Sequence, residues 1–301
     1  MTAHHGRRTV VVGIDGSEHA LRAARWGAAE AGRRNIALRL VHALDWLSDH
    51  PSETSDLGRR AREVESTRAR GLLAAAQRAA QEARPDLEVE QQLIIGHPVE
   101  VLAAESRAAE IVVVGASGVG RIEGMLAGSV PVALVTHAGC PVVVVRGVEH
   151  TAADESTLPV VVGVDGSPIS ETAIAFAFDA ASARGVPLVA VHTWAERFVD
   201  PAIKPLTEWT AGDEHALLAE RLAGWNEKYP DVAVRRVLEE GRAARVLLGQ
   251  SQRAQLVVVG THGSGELTGL LLGSVGNTLV HKARCPVAVV HPGTPTTRRT
   301  A

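Results

Sequence analysis

Short runs of apolar residues alternate along the chain with longer segments in which apolar residues recur every three or four positions. In the first half, predicted strands lie near residues 9–14, 36–42, 88–95, 111–115 and 141–146. Predicted helices lie near residues 17–33, 59–83, 98–108 and 129–138. Runs such as "IVVVG" and "PVVVV" are apolar throughout, which is typical of strands that helices cover on both faces. The alternation predicts a parallel, doubly wound α/β sheet.

The second half of the chain repeats the first. "VVVGIDGSEHA" at residue 10 returns as "VVVGVDGSPIS" at residue 160, and "AEIVVVGASG" returns as "AQLVVVGTHG". Asp15 and Asp165 lie 150 residues apart, whereas Gly115 and Gly260 lie 145 apart. The second copy is therefore shorter between its second and third strands. The fold class that follows is α/β, with two tandem Rossmann-like domains, each built on a five-stranded parallel sheet.

The domain boundaries follow from where the repeated pattern stops. We place domain 1 at residues 1–147 and domain 2 at residues 159–293. Residues 148–158 are polar and unpatterned, so they are predicted to form a linker, and residues 294–301 a C-terminal tail.

Composition narrows the function classes. With 46% hydrophobic and 22% charged residues the chain is globular, and a net charge of −3 gives no reason to expect a nucleic acid or an anionic membrane as partner. Aromatic residues make up only 3%, too few for a base-stacking platform. Two cysteines offer no disulfide framework, and neither a signal segment nor an apolar run of membrane-spanning length is visible. A cytoplasmic location without a membrane span is expected.

Each copy has a glycine-rich loop directly after its fourth predicted strand. In open parallel sheets, ligands bind beyond the carboxyl ends of the strands, and both "GID" and "GASG" fall there. The glycines permit a close approach of the backbone, and the loop ends in Gly128-Ser129 just before a helix, where free N–H groups hold phosphate. Ser129 is a predicted N-cap. The loop therefore predicts a phosphate site.

The spacing of the glycines separates three kinds of nucleotide loop. A Walker A loop fails because Arg121 follows Gly120 in the first copy and Glu266 follows Gly265 in the second, where a lysine is required. A Rossmann fingerprint fails because its glycines follow the first strand. Both copies fit G-x2-G-x9-G-[ST]. The matching residues are Gly115, Gly118, Gly128 and Ser129, then Gly260, Gly263, Gly273 and Ser274.

This repeated pattern resembles the ATP-binding subgroup of the universal stress protein family, and its tandem form looks like the two-domain members of actinobacteria such as mycobacteria. The resemblance covers both halves, including "VGIDGS" and the final "CPVVVV" strand. It implies domains of the adenine nucleotide alpha hydrolase-like type that bind ATP, alone or with Mg²⁺. It further implies that Asp15 and Asp165 face the ribose or the adenine side.

The resemblance also distributes the remaining roles. The adenine pocket would be lined by Gly13, Ala43, Gly163 and Thr193. The phosphates would be held by Gly115, Gly118, Gly260 and Gly263, with donors from Ser129, Val130, Ser274 and Val275. Further loop positions are Ser117, Gly120, Arg121, Gly128, His262, Gly265 and Gly273. The copies differ where Pro131 stands opposite Gly276 and His262 opposite Ser117, so the two sites are expected to differ in affinity.

Simpler interpretations stay open at several of these positions. A glycine loop at a strand end is often only a turn, and Asp15 in "DGS" is as well explained as an N-cap or turn residue. His42 and His192, at the ends of buried strands, are expected to be structural, and Cys140 and Cys285 to be inert core thiols.

Three functions remain open from the sequence. The preferred one is a nucleotide-dependent regulator of stress response or growth, in which bound ATP biases conformation or partner binding. The alternatives are a slow ATPase or phosphotransferase, and a dimerisation module with vestigial sites. No catalytic residue or metal site is predicted. The resemblance also implies an intramolecular pseudo-dimer through the final strands. Association of two chains into a homodimer and the identity of a regulatory protein partner stay open.

Overall fold

The computed structural model describes residues 8–45, 56–116, 129–146, 157–194, 211–262 and 272–292. The chain divides into two compact units, Met1–Arg146 and Gly147–Ala301, termed unit 1 and unit 2. Each unit has a parallel sheet whose strands are connected by helices, so the predicted α/β class with tandem domains is confirmed.

Unit 1 is a doubly wound sheet with the strand order β3-β2-β1-β4-β5. Its strands are β1 (Thr9–Gly13), β2 (Ala37–Leu44), β3 (Val89–Ile95), β4 (Ile111–Gly115) and β5 (Val142–Val145). Its helices are α1 (Glu18–Arg34), α2 (Asp56–Ala83), α3 (Pro98–Glu105) and α4 (Ser129–His137). Because the order reverses between β1 and β4, a crevice is expected at the carboxyl ends of these two strands.

Unit 2 repeats the arrangement with the order β8-β7-β6-β9-β10. Its strands are β6 (Val160–Val164), β7 (Leu188–Trp194), β8 (Val234–Glu240), β9 (Leu256–Gly260) and β10 (Val287–Val290). Its helices are α5 (Pro168–Arg184), α6 (Ala211–Leu222), α7 (Trp225–Lys228), α8 (Ala243–Gln250) and α9 (Ser274–Lys282), with a 3-10 turn at Ser251–Arg253. The reversal lies between β6 and β9.

The valine runs form the centre of each sheet, as their uniform apolarity predicts. Val10, Val11 and Val12 of β1 are completely buried, and so are Val160, Val161 and Val162 of β6. Burial of consecutive residues requires cover on both faces, because successive side chains of a strand point to opposite sides. In these central strands, polar side chains are therefore left to the strand ends.

The difference in length between the copies falls where the sequence predicts it. β2 ends at Leu44 and β3 begins at Val89, whereas β7 ends at Trp194 and β8 begins at Val234, five residues sooner. Unit 1 carries one long helix, α2, in this connection. In unit 2, α6 and α7 are separated at Gly224, whose φ of 79° lies in the left-handed region. The sequence did not predict this break.

The first helix of each unit begins with a serine cap. Ser17 precedes α1 and its Oγ accepts from the N–H of Ala20, and Ser167 does the same for Ser170 at the start of α5. Across the described segments, no helix is both long and apolar enough to cross a bilayer.

Candidate functional site

The candidate site of each unit lies at the carboxyl ends of two adjacent central strands. In unit 1, β1 and β4 pair in parallel with Val12 opposite Val113, so Gly13 and Gly115 end the two strands at the same edge. In unit 2, Val162 lies opposite Val258, and Gly163 and Gly260 are at the corresponding edge. Parallel sheets of this kind place ligands at such an edge, beside the reversal of strand order.

Asp15 belongs to a turn that joins β1 to α1. Its Oδ1 accepts from the backbone N–H of Ser17 at 2.9 Å, and Gly16 between them has a φ of 85°. The N-cap of α1 is Ser17, so the interpretation of Asp15 as the cap is wrong, whereas its assignment to a turn is confirmed. The turn holds a half-buried carboxylate at the edge of the sheet.

Unit 2 builds the same turn. Oδ1 of Asp165 accepts from the backbone N–H of Ser167 at 3.0 Å and from its Oγ at 2.6 Å, and Gly166 has a φ of 78°. Two copies of one turn with the same hydrogen bond indicate that the carboxylate position is a defined feature of the fold.

A histidine on the neighbouring strand anchors each turn. Nδ1 of His42 lies 2.7 Å from the carbonyl oxygen of Ile14, and Nδ1 of His192 lies 2.7 Å from that of Val164. A carbonyl oxygen only accepts, so Nδ1 carries the ring proton in both histidines. These bonds tie the residue before each aspartate to β2 or β7, which is the structural role expected for the two histidines.

The glycines that end β4 and β9 are required by packing within the protein. A Cβ on Gly115 would stand 2.6 Å from the carbonyl carbon of His19, in the first turn of α1. A Cβ on Gly260 would stand 2.4 Å from Cγ2 of Ile169, in the first turn of α5. The sequence predicted a close approach at these glycines, and the structure shows that a helix of the same unit makes it.

The glycines near the carboxyl end of the first strand of each unit pack against another helix. A Cβ on Gly13 would lie 2.9 Å from Cδ1 of Leu102 in α3, and a Cβ on Gly163 would lie 3.1 Å from Cδ1 of Leu247 in α8. Both glycines are half-buried. A larger residue at either position would require the leucine side chain of the adjacent helix to move.

The far end of the glycine loop returns to the strand that it leaves in unit 2. The backbone N–H of Gly273 donates to the carbonyl oxygen of Thr261 at 2.8 Å, so α9 begins beside the end of β9. Gly273 is the N-cap and makes no side-chain cap bond. Ser274 and Val275 form the first turn, where backbone N–H groups and the helix dipole favour an anion.

In unit 1, α4 begins at Ser129, with Val130 next in the first turn. Because residue 128 lies outside the described residues, the N-cap role predicted for Ser129 stays a prediction. Its backbone N–H still belongs to the group that a helix start leaves without partners inside the helix.

The remaining predicted positions divide into two groups. Ala43 and Thr193 are half-buried near the carboxyl ends of β2 and β7, and His262 follows β9 directly after Thr261. Outside the described residues lie Ser117, Gly118, Gly120, Arg121, Gly128, Gly263 and Gly265.

Unit 1 has a basic group at its site that the sequence analysis missed. Nη2 of Arg22 lies 2.6 Å from Nδ1 of His19, and because a guanidinium only donates, this Nδ1 accepts. Burial, Arg22 and Arg146 lower the pKa of His19, against the opposing effect of Asp15 and Glu18. Comparison of the two copies could have revealed the group, because unit 2 has an uncharged or weakly basic residue opposite each of His19, Arg22 and Arg146.

The two cysteines lie away from this chemistry. Cys140 and Cys285 are buried, and burial raises the pKa of each thiol to about 12. A thiol with such a pKa carries almost no thiolate at neutral pH, so neither acts as a nucleophile in the folded chain. Within the described ranges, no group of three or more His, Cys, Asp or Glu side chains is arranged to hold a metal ion.

The family model of the universal stress protein family matches residues 6–146 and again residues 157–291. The chain belongs to the universal stress protein family. The family resemblance inferred from the glycine pattern and the repeat is therefore confirmed.

Two relatives illustrate the similarity of this universal stress protein to others. A universal stress protein of Mycobacterium tuberculosis is 45% identical over 290 residues, which cover 93% of this chain and 96% of the relative. One of Mycolicibacterium smegmatis is 40% identical over 291 residues, covering 94% and 97%. Both relatives match along the tandem arrangement, not along one half alone.

A solved structure supports the fold. The crystal structure of a universal stress protein from Archaeoglobus fulgidus superimposes with a TM-score of 0.70 at 18% sequence identity, covering 95% of this chain and 98% of the other. At this identity the match concerns the fold alone.

Proposed function

We propose that this universal stress protein binds one adenine nucleotide, ATP, in each unit and regulates stress response or growth according to whether the nucleotide is bound. The observation that carries the proposal is the duplication of one arrangement. In both units an aspartate turn ends the first strand, and a glycine ends the strand beside it, where the strand order reverses.

The arrangement gives the ligand a direction. A carboxylate accepts from ribose hydroxyls and repels phosphates, so the sugar lies toward Asp15 or Asp165. The first turns of α4 and α9 offer backbone N–H groups and the positive end of a helix dipole, so the phosphates lie there. Adenine then faces Gly13 and Ala43 in unit 1, and Gly163 and Thr193 in unit 2.

The loop glycines from the G-x2-G-x9-G-[ST] pattern complete the proposed phosphate cradle. The phosphates bind there alone or together with Mg²⁺. The two sites differ in affinity because their loops and helix starts differ. Pairing of the final strands, formation of a homodimer and a cytoplasmic location stay predictions.

The decisive experiment is extraction of nucleotide from freshly purified protein, with identification and quantification by chromatography. We expect ATP near two equivalents per chain, and near one equivalent for Asp15→Ala or for Asp165→Ala. Ser17→Ala is the matched control, because it alters the helix cap and leaves the carboxylate in place.

The other outcomes separate the alternatives. ADP or AMP in place of ATP, with release that depends on Mg²⁺ and is lost in Asp15→Ala, would favour a slow ATPase or phosphotransferase. A protein that is empty and does not bind added ATP would contradict the proposal and favour a dimerisation module with vestigial sites.

A further inference from the structure

Three basic side chains of unit 1 surround the start of its glycine loop. The backbone of His19 lies directly over Gly115, as the 2.6 Å distance to a Cβ at that position shows. Arg22, one turn along α1, donates to the ring of His19. Arg146 follows β5, whose last residue Val145 accepts from the N–H of Ala116 at 3.1 Å, so the backbone of Arg146 continues from the strand end that is paired with Ala116.

Unit 2 places different residues at the same three positions. By the repeat, Ile169 stands opposite His19, Thr172 opposite Arg22, and His291 opposite Arg146. Ile169 covers Gly260 with its side chain and His19 covers Gly115 with its backbone, so the first turn of α1 and that of α5 lie over the glycine at the same place in each unit.

Acidic residues near His19, Arg22 and Arg146 do not cancel the more basic character of unit 1 at these positions. Asp15 and Glu18 both act on His19, but Asp15 has a counterpart in Asp165 and Glu18 is exposed to solvent. The two guanidinium groups have no arginine counterparts at these positions in unit 2.

The order of the strands shows which part of a nucleotide would meet these side chains. In unit 1 the order β2-β1-β4-β5 runs from the proposed adenine pocket at β2 and β1 to the proposed phosphate end at β4. Arg146 follows β5, beyond β4 on the side away from adenine. A group in this place meets the end of the phosphate chain, which is the part that distinguishes a triphosphate from a monophosphate.

Arginine suits this task because its planar guanidinium donates two parallel hydrogen bonds to phosphate oxygens. His19 contributes in its neutral form, since its Nδ1 accepts from Arg22 and its Nε2 then carries the ring proton as a further donor.

We propose that His19, Arg22 and Arg146 are specificity-determining residues that make unit 1 prefer a nucleoside triphosphate over a monophosphate, whereas unit 2 discriminates weakly between them. The inference rests on the proposed function, that each unit binds an adenine nucleotide. It adds that the two units of one chain respond to different quantities. Unit 1 responds to the phosphorylation state of the adenine nucleotide, and unit 2 responds to the total concentration of adenine nucleotides.

The test exchanges the three residues between the units of the full chain. His19→Ile, Arg22→Thr and Arg146→His together give unit 1 the residues of unit 2, and Ile169→His, Thr172→Arg and His291→Arg give the reverse exchange.

Calorimetric titration of nucleotide-free protein with ATP and with AMP measures the preference at each site. In the unmodified chain we expect one site whose preference for ATP exceeds that of the other by about tenfold or more, the effect of one hydrogen bond to a charged group.

The first exchange is expected to remove that preference with little change in AMP affinity, and the reverse exchange to create a second site that has it. A chain in which Arg22 and Arg146 are both replaced by lysine keeps the charge and should keep part of the preference. Protection of Cys140 and Cys285 from alkylation checks that both units remain folded. If the first exchange unfolds unit 1, the reverse exchange in unit 2 still decides the matter.

Each further outcome has a distinct meaning. Equal losses of ATP and AMP affinity in the first exchange, or a reverse exchange without effect on the ratio, would overturn the inference while leaving nucleotide binding intact. An unmodified chain that binds neither nucleotide would overturn the proposed function itself.

Discussion

The two units share a fold but fill the space between their helices differently. In unit 1, α1 packs on the unbroken α2 with small side chains, and Ala28 and Ala80 are completely buried. At the corresponding positions unit 2 has Phe178 and Trp225, whose rings stack with centroids 5.6 Å apart, and Tyr229 stacks on Phe178 at the same distance. Aromatic volume thus replaces a close helix contact where the connection is shorter and the helix is broken.

The units differ as well in how they use charge. Unit 1 buries Glu30, which is 1% exposed, and pairs it with Arg34 at 2.7 Å; Arg34 in turn binds Glu110 at 2.7 Å. In unit 2 the positions of the two glutamates are occupied by Ala180 and Gln255, and no buried carboxylate remains at either.

A second ion group of unit 1 repeats this difference. Arg39 on β2 contacts Glu90 at 3.0 Å and Glu105 at 3.1 Å, whereas Val189 occupies the position of Arg39 in unit 2. At these positions the fold therefore has ion pairs in unit 1 and uncharged side chains in unit 2. Destabilising each unit separately tests this contrast, and the two buried cysteines report which unit opens, because Cys140 lies in unit 1 and Cys285 in unit 2.

The largest effect is expected from Phe178→Ala. It removes the central ring of the aromatic stack from a fully buried position, which should lower the free energy of unfolding of unit 2 by about 4 kcal/mol. Urea unfolding with pulsed alkylation of Cys285 measures the loss. Phe178→Leu is the control, with an expected cost of about 1.5 kcal/mol or less because most of the volume remains. A midpoint that falls for Cys140 and stays unchanged for Cys285, relative to the unmodified chain, would contradict the assignment to unit 2.

The second largest effect is expected from Arg34→Met. It should lower the free energy of unfolding of unit 1 by about 3 kcal/mol, because it leaves Glu30 buried without its closest partner. Arg184→Met is the matched control in unit 2, where Ala180 stands at the position of Glu30, so the substitution leaves no buried glutamate at that position; its cost should stay below about 1 kcal/mol. The measurement is the urea midpoint read from the alkylation of Cys140 and Cys285. Equal losses for the two substitutions would show that the buried carboxylate does not set the difference.

A smaller effect of opposite sign is expected at Ser170. Its Oγ is buried and has no hydrogen-bond partner within the described part of the chain, and unit 1 has Ala20 at this position. Removing an unsatisfied buried hydroxyl should stabilise unit 2 by about 0.5 kcal/mol, so Ser170→Ala should raise the urea midpoint for Cys285. The reverse change, Ala20→Ser, should destabilise unit 1. A loss of stability in Ser170→Ala would mean that the hydroxyl is satisfied.

The smallest effect concerns pH. Because the pKa of His19 is lowered in the folded chain, the folded state favours the neutral ring and the unfolded state binds the proton more readily. This contribution to stability is present above the ordinary histidine value near 6.5 and is lost as the pH falls through the lowered folded pKa. Between pH 7.5 and pH 5, the free energy of unfolding of unit 1 should fall more steeply in the unmodified chain than in His19→Ile. Identical pH profiles would contradict the coupling.

The sequence predicted the architecture well because burial determines it. Uniform valine runs are readable as central strands, and the repeat predicted both sheets and the shorter connection of unit 2. The packing role of Gly115 was not readable, because the helix turn that covers it at His19 lies far away in sequence. The helix break at Gly224 was missed for a related reason, since the aromatic stack that accompanies it forms only when Phe178 and Trp225 meet in the fold.

The candidate site was predicted only as a set of positions. Strand ends and the aspartate turn follow from local pattern, and the turn was confirmed at both Asp15 and Asp165. The basic group was missed because Arg146 directly follows a strand whose own pattern is apolar, and its relation to His19 depends on β5 lying beside β4.

The strand order also has a consequence for synthesis on the ribosome. β1, β2 and β3 are neighbours in sequence and in the sheet, so they can pair as they emerge, but β4 must return across them to lie beside β1. At a synthesis rate of roughly 5–20 residues per second, Gly115 is added several seconds after Gly13, the residue with which it forms this edge of the sheet. A nascent chain of unit 1 therefore completes the edge that carries the candidate site as one of the last steps of its folding, and a truncated chain that ends before β4 has only half of that edge.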